Sequence, residues 1–394
     1  MPIKRKDVFM KNNKITDSII YIGVDDKDID LFENQYIVPT GITYNSYVIL
    51  DEKIAIMDTV DIRKTEEWLS NLEKVLNGKK PDYLIVSHME SDHSDNIENL
   101  ANKYPEMKIV GNMQTFKMIS QFFDLDLQDR AITVKEGDTL NLGKHTLQFI
   151  MAPMVHWPEV MVTYEKSEKI LFSADGFGKF GTIDEDWEDE ARRYYLNIVG
   201  KYGMNVQALL KKASNLDIKK ICPLHGPILK DNLEYYINKY DIWSSYKPEE
   251  DGVLVAYASI HGNTEKVAKK FAEILTKKGA KKVELVDLAR DDKSKALADA
   301  FKFDKMVVAS STYNMEIFPC MEQFLRMLAS KNYQNRKVGI IENGTWAPSS
   351  GKLMNEMFSK MKNITICETM VTIKSALKEI DVPNLEKLAE QILN

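Results

Sequence analysis

The sequence predicts an α/β protein of two domains, in which packed sheets flanked by helices are followed by a doubly wound parallel sheet. The chain has 394 residues, a length that suits about two domains. The polar stretch SSYKPEEDG, residues 244–252, ends an aromatic-rich helical segment and contains a proline and a glycine. We therefore predict domains at residues 1–248 and 249–394.

Short strands and helices alternate irregularly in the first domain. The segment YNSYVILDEKIAIMDTV, residues 44–60, predicts a hairpin of two apolar strands. Helical spacing predicts helices near residues 62–77 and 112–123. Further strands are predicted in HTLQFIMAP, VMVTYE and KILFSAD, all before residue 176. This mixture favours packed sheets with helices on their outer faces.

Regular alternation of strands and helices marks the second domain. Apolar, β-branched strands are predicted at VLVAYAS, KVELVDL, KMVVASS, KVGIIENG and ITICETMVTI. A helical segment follows each of them, the first from Thr264 and the last from Asn384. Such alternation is typical of a parallel sheet of about five strands covered by helices on both faces.

Composition limits the partners and the compartment that we expect. The net charge of -6 gives no basic surface for nucleic acid. No segment approaches the roughly 18 apolar residues of a membrane span, and the start MPIKRKDVFMKNNK lacks the apolar core of a signal peptide. We expect a cytoplasmic protein that binds neither nucleic acid nor membrane. The acidic run DEDWEDE, residues 184–190, is interpreted as a solvated approach to a helix.

Cysteine spacing argues against a disulfide framework or a cysteine-bound iron site. Cys222, Cys320 and Cys367 lie far apart and form no CxxC pair. Cys222 is predicted to be a small buried residue. Any redox centre must therefore use other side chains or a cofactor.

A cluster of possible metal ligands lies in SHMESDH, residues 87–93, on a predicted strand-to-helix loop. Three more candidates follow other predicted strands. A lone histidine at a strand end is usually an ordinary hydrogen-bonded residue, but seven such candidates together favour a metal centre. His145, in the turn LGKHTL, has no such company and is predicted to lie on the surface. The seven candidates are His88, Glu90, Asp92, His93, His156, Asp175 and His225.

The motif HxExDH, followed by His156, Asp175 and His225, resembles the metal set of the flavodiiron proteins. The segments HWPEVMVTY, FSADGFG and ARRYYLNIVGKYG are similar to that family as well. The resemblance implies a metallo-β-lactamase-like αββα sandwich that binds two iron ions. It assigns His88, Glu90 and His156 to one iron, and Asp92, His93 and His225 to the other, with Asp175 as the bridge. Whether His88 binds iron directly or is displaced by water stays open.

Glu90 distinguishes an iron site from a zinc site within that fold. By the same resemblance, the zinc hydrolases carry a histidine at this position. A further carboxylate makes the pocket harder and more anionic, which suits iron that cycles between its ferrous and ferric states. A di-zinc hydrolase with an appended flavodoxin domain nevertheless remains the first alternative.

A second group of candidates lies after three strands of the second domain. Residues 259–264, SIHGNT, combine hydroxyl groups with a helix start, where backbone amides favour a phosphate. This loop, with SSTYNMEIFP and ENGTWAPSSG, resembles the flavodoxins and implies bound FMN. Tyr313 and Trp346 are expected to flank the flavin ring, or else to cap the edge of the core. The predicted contacts are Ser259, Ile260, His261, Gly262, Asn263, Thr264, Ser311, Thr312, Tyr313, Asn314, Asn343, Gly344, Thr345 and Trp346.

Together the two sites resemble a reductase. The flavodiiron resemblance implies that FMN passes electrons to a di-iron site that reduces O2 to water or NO to N2O. It also implies an external electron donor such as rubredoxin, and a head-to-tail homodimer, or a dimer of such dimers, in which each flavin serves the partner's metals. Ligand spacing does not rank O2 against NO. A flavodoxin-like electron carrier with a vestigial first domain is the alternative that is not an enzyme.

Overall fold

A computed structural model describes three stretches of the chain, residues 13–127, 129–183 and 187–394. These stretches form two compact units. The first twelve residues, which belong to the start where we predict no signal peptide, lie outside the described part. Asp184, Glu185 and Asp186 of the acidic run lie outside it as well. No helix in the described part is both long enough and apolar enough to cross a membrane.

Each of the two units consists of two segments of the chain. The first unit ends at Tyr194 and resumes over Met204–Tyr240, and the second combines Tyr195–Gly203 with Asp241–Asn394. The boundary between residues 248 and 249 that we predict from the sequence remains a proposal.

Two sheets form the framework of the first unit. Its strands are β1 Ile19–Tyr21, β2 Val24–Asp26, β3 Leu31–Phe32, β4 Tyr36–Ile37, β5 Ile42–Tyr44, β6 Tyr47–Ile49, β7 Ala55–Met57, β8 Tyr83–Ile85, β9 Lys108–Gly111, β10 Ala131–Thr133, β11 Thr139–Asn141, β12 Thr146–Met151, β13 Met161–Glu165, β14 Ile170–Phe172 and β15 Lys220–Cys222. Among the described residues, one sheet has the strand order β1-β6-β7-β8-β9-β10 and the other runs from β11 to β15 in sequence order. Two short pairs, β2 with β5 and β3 with β4, stand beside them.

The core of this unit lies between the two sheets. Ile49 and Ile85 from one sheet pack in one cluster with Phe149, Phe172 and Cys222 from the other. The predicted hairpin is confirmed as the antiparallel pair β6 and β7, and Cys222 is buried as expected. Helices before residue 245 are α1 Thr65–Leu76, α2 Ser91–Ser94, α3 Ile97–Lys103, α4 Met113–Phe122, α5 Trp187–Ile198, α6 Gly203–Ala213 and α7 Leu233–Ser244.

The prediction that His145 lies on the surface is wrong. Its side chain is buried, with Nδ1 2.7 Å from Asp51 Oδ2 and Nε2 2.9 Å from Ser18 Oγ. The Ser18 hydroxyl in turn donates to Glu168 Oε1 at 3.1 Å. His145 thus links three other segments of the unit, because its partners are distant in sequence but adjacent in the fold.

The described part of the acidic run also differs from its interpretation. Glu188 and Glu190 lie in the first turn of α5, where carboxylates favour the helix dipole. They pair with the buried guanidinium groups of Arg192 and Arg193 at 2.9 and 2.7 Å. These carboxylates therefore satisfy buried charges, and are not simply a solvated face.

The second unit is the parallel sheet that the sequence predicts. Its strands are β16 Glu250–Ala258, β17 Val283–Asp287, β18 Phe303–Tyr313, β19 Glu316–Ile317, β20 Arg336–Asn343 and β21 Ile364–Ile373. The described strands have the order β17-β16-β18-β20-β21, and every neighbouring pair in that order is parallel. Its helices are α8 Asn263–Lys277, α9 Lys293–Lys302, α10 Pro319–Ser330, α11 Ser350–Phe358 and α12 Val382–Leu393.

Amphipathic helices cover this sheet. In α8 the buried residues Val267, Phe271 and Ile274 recur at helical spacing and pack in one cluster with Val255 and Val307 of the central strands. One prediction needs correction, since Thr312 and Tyr313 were expected in a loop. They extend β18, because Thr312 and Tyr313 pair with the short antiparallel strand β19.

Candidate functional site

The seven predicted metal ligands converge at one edge of the two sheets of the first unit. His88 and Glu90 follow β8, and His156 follows β12. Asp175 and His225 follow β14 and β15, which are parallel neighbours and so end on the same side. Asp92 and His93 lie in the turn after Glu90. The structure therefore brings together all seven side chains that the sequence singled out.

The segment after β8 is only partly the loop that was predicted. Its second half, Ser91–Ser94, is one turn of helix with Glu90 as its N-terminal flanking residue. The Ser94 hydroxyl closes the turn by donating to the Met89 carbonyl at 2.9 Å. Asp92 and His93, in this turn, belong to a different group of possible ligands from His88 and Glu90.

One group of possible ligands consists of His88, Glu90, His156 and Asp175. Their nearest ligand atoms all lie within 4.8 Å of one another. Nε2 of His88 lies 3.3 Å from Nε2 of His156 and 3.3 Å from Glu90 Oε2. His156 Nε2 lies 3.1 Å from the same Glu90 oxygen. Two imidazoles and two carboxylates are a suitable set for a divalent or trivalent iron.

The other group consists of Asp92, His93 and His225, again within 4.8 Å of one another. The Nε2 atoms of His93 and His225 are 3.1 Å apart. Asp92 Oδ2 lies 3.2 Å from each of these two nitrogens. Two nitrogens and a carboxylate oxygen thus face one point, next to the first group.

Asp175 lies between the two groups. Its Oδ2 is 3.0 Å from His156 Nε2 and 3.4 Å from His88 Nε2. Its Oδ1 is 3.4 Å from His93 Nε2 and 3.9 Å from His225 Nε2. Each carboxylate oxygen therefore faces a different group, which is the arrangement of a bridging ligand.

Buried oxygens without hydrogen bonds indicate that these groups fit metal ions. Both carboxylate oxygens of Asp92 and of Asp175 are buried, and none accepts a hydrogen bond from a described residue. An unpaired buried carboxylate is costly, whereas coordination to a cation satisfies it. The donor set therefore fits two metal ions that share Asp175.

The electrostatics of the site lead to the same conclusion. Burial, together with the nearby Glu90 and Asp175, raises the pKa of Asp92 to about 7, although His93 partly offsets this. Burial also opposes the ionised form of Asp175, but the surrounding histidines hold its pKa well below the usual value. Several carboxylates are thus crowded into a buried space, where a cation relieves their repulsion.

Two of the histidines have a fixed orientation. His225 donates its Nδ1 hydrogen to the Thr43 carbonyl at 2.6 Å, so Nε2 carries the lone pair that faces the site. Burial lowers the pKa of His225, which keeps the imidazole in the neutral form that binds metals. His88 Nδ1 lies 2.8 Å from Glu159 Oε1. In contrast, His93 Nδ1 is buried without a hydrogen-bond partner among the described residues.

Backbone constraints fix the loops that carry these ligands. Gly226 follows His225 with φ +81°, and a Cβ atom there would lie 2.6 Å from Lys179 Cγ. Asp58, after β7, accepts the backbone N–H of Ser87 at 2.6 Å and so holds the start of the ligand loop. Sequence patterns did not predict a role for Asp58, Thr43 or Glu159. Of these, only Glu159 had a local signal, since it lies within the segment HWPEV.

A separate pocket of about 550 Å³ lies at the carboxyl edge of the sheet in the second unit. Its size suits a small-molecule cofactor. Of the fourteen predicted flavin contacts, all except Gly262 line this pocket. The described lining contains no Lys, Arg, Asp or Glu side chain. Met315, Ala347 and Ser375 also line it and were not predicted.

Neutral groups form the end of this pocket that suits a phosphate. Helix α8 begins after Gly262, which has φ +84°, and no described side chain caps its first amides. The Thr264 hydroxyl lies 2.8 Å from Ser311 Oγ and accepts from Asn343 Nδ2 at 3.3 Å. Free amides at a helix start and a cluster of hydroxyls together bind an anion without a positive side chain.

Aromatic side chains rim the same pocket. Trp346 is 87% exposed and Tyr313 is 45% exposed, so neither ring caps the core of the sheet. Both are free to contact a planar ring system on its faces. The alternative role, covering the edge of the core, is not supported by their exposure.

Comparison with known proteins agrees with both sites. The family model described as ODP family beta lactamase matches residues 42–226, and the flavodoxin domain model matches residues 254–370. An uncharacterized protein of Methanocaldococcus jannaschii is 32% identical and covers 93% of this chain and 94% of its own length. A nitric oxide reductase of Moorella thermoacetica is 29% identical over 96% of this chain and 97% of its own.

Solved structures agree as well. The rubredoxin oxygen:oxidoreductase of Desulfovibrio gigas matches with a TM-score of 0.91 and 29% identity, over 96% of this chain and 97% of that one. A flavo di-iron protein mutant from Thermotoga maritima matches with a TM-score of 0.86 and 26% identity, over 95% of each chain.

The fold and its two sites define an oxidoreductase with a β-lactamase-like domain and a flavodoxin domain. The chain belongs to the flavodiiron family of oxygen and nitric oxide reductases. The predicted fold class is thereby confirmed for both domains.

Proposed function

We propose that this chain reduces O2 or NO at a di-iron centre, with electrons that reach the metals through FMN. The observation that carries the proposal is the position of Asp175, whose two oxygens face separate groups of ligands. His88, Glu90 and His156 would hold one iron, and Asp92, His93 and His225 the other. The orientation of His88 Nε2 toward Glu90 and His156 supports direct ligation of iron by His88.

The irons, when bound, supply electrons and open positions at which a diatomic gas is reduced. The chain's own residues set the conditions for that reaction. Phe32 packs edge-on to the His225 ring at 5.3 Å and shields that ligand from solvent. Reduction of O2 to two waters consumes four electrons and four protons. Reduction of two NO to N2O and water consumes two of each.

FMN is the flavin that suits the second pocket. A single phosphate fits the amides at the start of α8 and the hydroxyls of Ser259, Thr264 and Ser311, all of which line the pocket. The isoalloxazine would lie between Tyr313, at the end of β18, and the loop that carries Trp346.

We also propose an external electron donor, a homodimer and a cytoplasmic location. A relative named rubredoxin oxygen:oxidoreductase supports a rubredoxin as the donor. The exposed apolar side chains Ile260, Tyr313, Met315 and Trp346 near the flavin pocket support a covering partner, and a head-to-tail second copy is our proposal. Three free cysteines are consistent with a reducing compartment.

Metal and flavin analysis of the purified protein tests this function against the hydrolase alternative. We expect close to two irons and one FMN per chain after anaerobic reconstitution with both. Preferential retention of zinc, with no stable iron, would favour the hydrolase. Release of FAD, or of no flavin, would contradict the interpretation of the second pocket.

A further inference from the structure

Glu159 is a fully buried carboxylate beside the metal centre that does not belong to either ligand group. In sequence it lies between His156 and β13, and its side chain is 0% exposed. Its Oε1 is 2.8 Å from His88 Nδ1 and accepts the backbone N–H of Met89 at 2.8 Å. Its contacts are therefore with a ligand and with the ligand loop, on the side away from the metals.

We infer that Glu159 is a positioning residue that holds His88 in place as an iron ligand and tunes that iron's reduction potential. The inference rests on the proposed di-iron function. Because Oε1 accepts the Nδ1 hydrogen, the lone pair of His88 is on Nε2, the atom 3.3 Å from Glu90 and from His156. Without this acceptor, neither the tautomer nor the ring orientation of His88 is fixed.

The backbone of Glu159 is itself anchored to a helix. Asn112 donates its side-chain N–H to the Glu159 carbonyl at 2.6 Å. The same asparagine caps α4 through its Oδ1, which accepts the N–H of Gln114 and of Thr115. The carboxylate is thus held by a rigid element, which suits a residue that orients a ligand.

The charge of Glu159 has a second effect. A carboxylate that accepts the Nδ1 hydrogen of a ligating imidazole makes the other ring nitrogen, Nε2, a stronger electron donor to the metal. A stronger donor favours the more positive, oxidised iron. Replacement of the carboxylate by an amide of the same shape keeps a hydrogen-bond acceptor but removes the charge. The orientation and the charge are therefore separable by two substitutions.

Glu165 offers a matched control at the other end of β13. It is also fully buried, but among the described residues its carboxylate accepts hydrogen bonds only from the backbone N–H groups of Ser167 and Glu168, at 2.9 and 2.6 Å. Glu165→Gln therefore changes a buried carboxylate that has no hydrogen bond to a proposed metal ligand in the described part of the chain.

The test compares Glu159→Gln, Glu159→Leu and Glu165→Gln with the wild-type protein, each reconstituted anaerobically with iron and FMN. We expect Glu159→Gln to keep two irons per chain but to shift the iron reduction potential to a more positive value in spectroelectrochemical titration. Glu159→Leu should lose about half of its iron and change the Mössbauer signature of what remains. Glu165→Gln should match the wild type in iron content and potential.

Failure of the inference about Glu159 and failure of the proposed function give different results. If the wild type binds two irons and both Glu159 variants retain its potential and spectrum, the inference about Glu159 is wrong. It is also wrong if Glu165→Gln produces equal changes, since the effect would then be general destabilisation. If the wild type itself binds no iron, the proposed function fails instead.

Discussion

Among the described residues, Asp175 has one carboxylate oxygen close to each ligand group, so the proposed metal centre depends on it more than on any other side chain. Its Oδ2 lies 3.0 Å from His156 Nε2, and its Oδ1 lies 3.4 Å from His93 Nε2. We predict that Asp175→Ala lowers the iron content and abolishes gas reduction, because each iron loses a ligand and the bridge is removed. FMN content should not change, since the flavin pocket belongs to the other unit.

Iron and flavin analysis of this variant, with an assay of O2 and NO consumption, checks the prediction. The flavin serves as an internal control for correct folding of the second unit. Wild-type turnover with both irons retained would contradict the assignment of Asp175 as the bridge.

Thr264 is the corresponding residue at the flavin pocket. Its hydroxyl already belongs to a network with Ser311 and Asn343, at 2.8 and 3.3 Å. We predict that Thr264→Val weakens FMN binding about tenfold, because a hydrogen bond to a charged phosphate contributes about 1.5 kcal/mol or more. Fluorescence titration of the flavin-free protein measures this. Riboflavin, which lacks the phosphate, should bind both forms equally, and an equal loss for riboflavin would reject the explanation.

Among single residues, the sequence predicted which ligand-type side chains come together, because ligand type and strand-end position are both local features. His88 and Asp175 were found for that reason. That these side chains bind metal stays a prediction. Glu159 and Thr43 were missed because their role is defined by contacts with His88 and His225, which lie far away in sequence. The error at His145 has the same cause, since its partner Asp51 lies 94 positions away.

The turns around His145 connect elements of both sheets in the first unit. Asp51 follows β6, His145 precedes β12, and Glu168 lies in the turn between β13 and β14. Burial alone would raise the pKa of Asp51, but hydrogen bonds from His145 and neighbouring backbone outweigh it and lower the pKa to about 2. The ionised form of Asp51 is therefore favoured by the fold.

This shift predicts a pH-dependent contribution to stability. Because the folded pKa of Asp51 is below its ordinary value of 3.8, its stabilisation is complete above that value and is lost as the pH falls toward 2. We expect Asp51→Asn to be less stable than the wild type in urea at pH 5, with a smaller difference at pH 3. A difference that stays constant or grows over this range would contradict the assignment.

Element boundaries were predicted well where hydrophobic periodicity is strong. All five parallel strands and the helix that follows each of them appear in the second unit. The extension of β18 through Tyr313 was not predicted, because it depends on pairing with the two-residue strand β19. So short a strand has no periodicity of its own. Likewise, the helical turn Ser91–Ser94 is too short to leave a sequence pattern.

At the scale of the whole molecule, the fold class follows from the sequence, but the assembly does not. Parallel alternation in one half and mixed strands in the other identify the two architectures. Tyr195–Gly203 nevertheless belongs to the second unit, although the segments before and after it in sequence belong to the first. The assignment of so short a segment depends on tertiary contacts, which leave no signal in composition.

The proposed head-to-tail homodimer predicts that two defective chains complement each other. A Glu90→Ala chain lacks an iron ligand but keeps its flavin, and a Thr264→Phe chain keeps its metals but fills the phosphate end of the pocket. We expect activity to return when the two are mixed after dissociation and reassociation, because one flavin then serves the intact metal site of the partner. Each homodimer alone is the control and should be inactive. No recovery in a verified mixed dimer would favour electron transfer within one chain.

The most direct test of the central claim is a gas titration of the reduced protein. FMN and two irons together store about four electrons per chain. The reconstituted protein, reduced anaerobically and freed of reductant, should therefore consume about one O2, or about four NO, per chain while flavin and iron are oxidised. Comparison of the two rates would give the preferred gas. If the fully reduced protein, with two irons and one FMN bound, consumes neither gas beyond the rate of free reduced flavin, the proposed function is wrong.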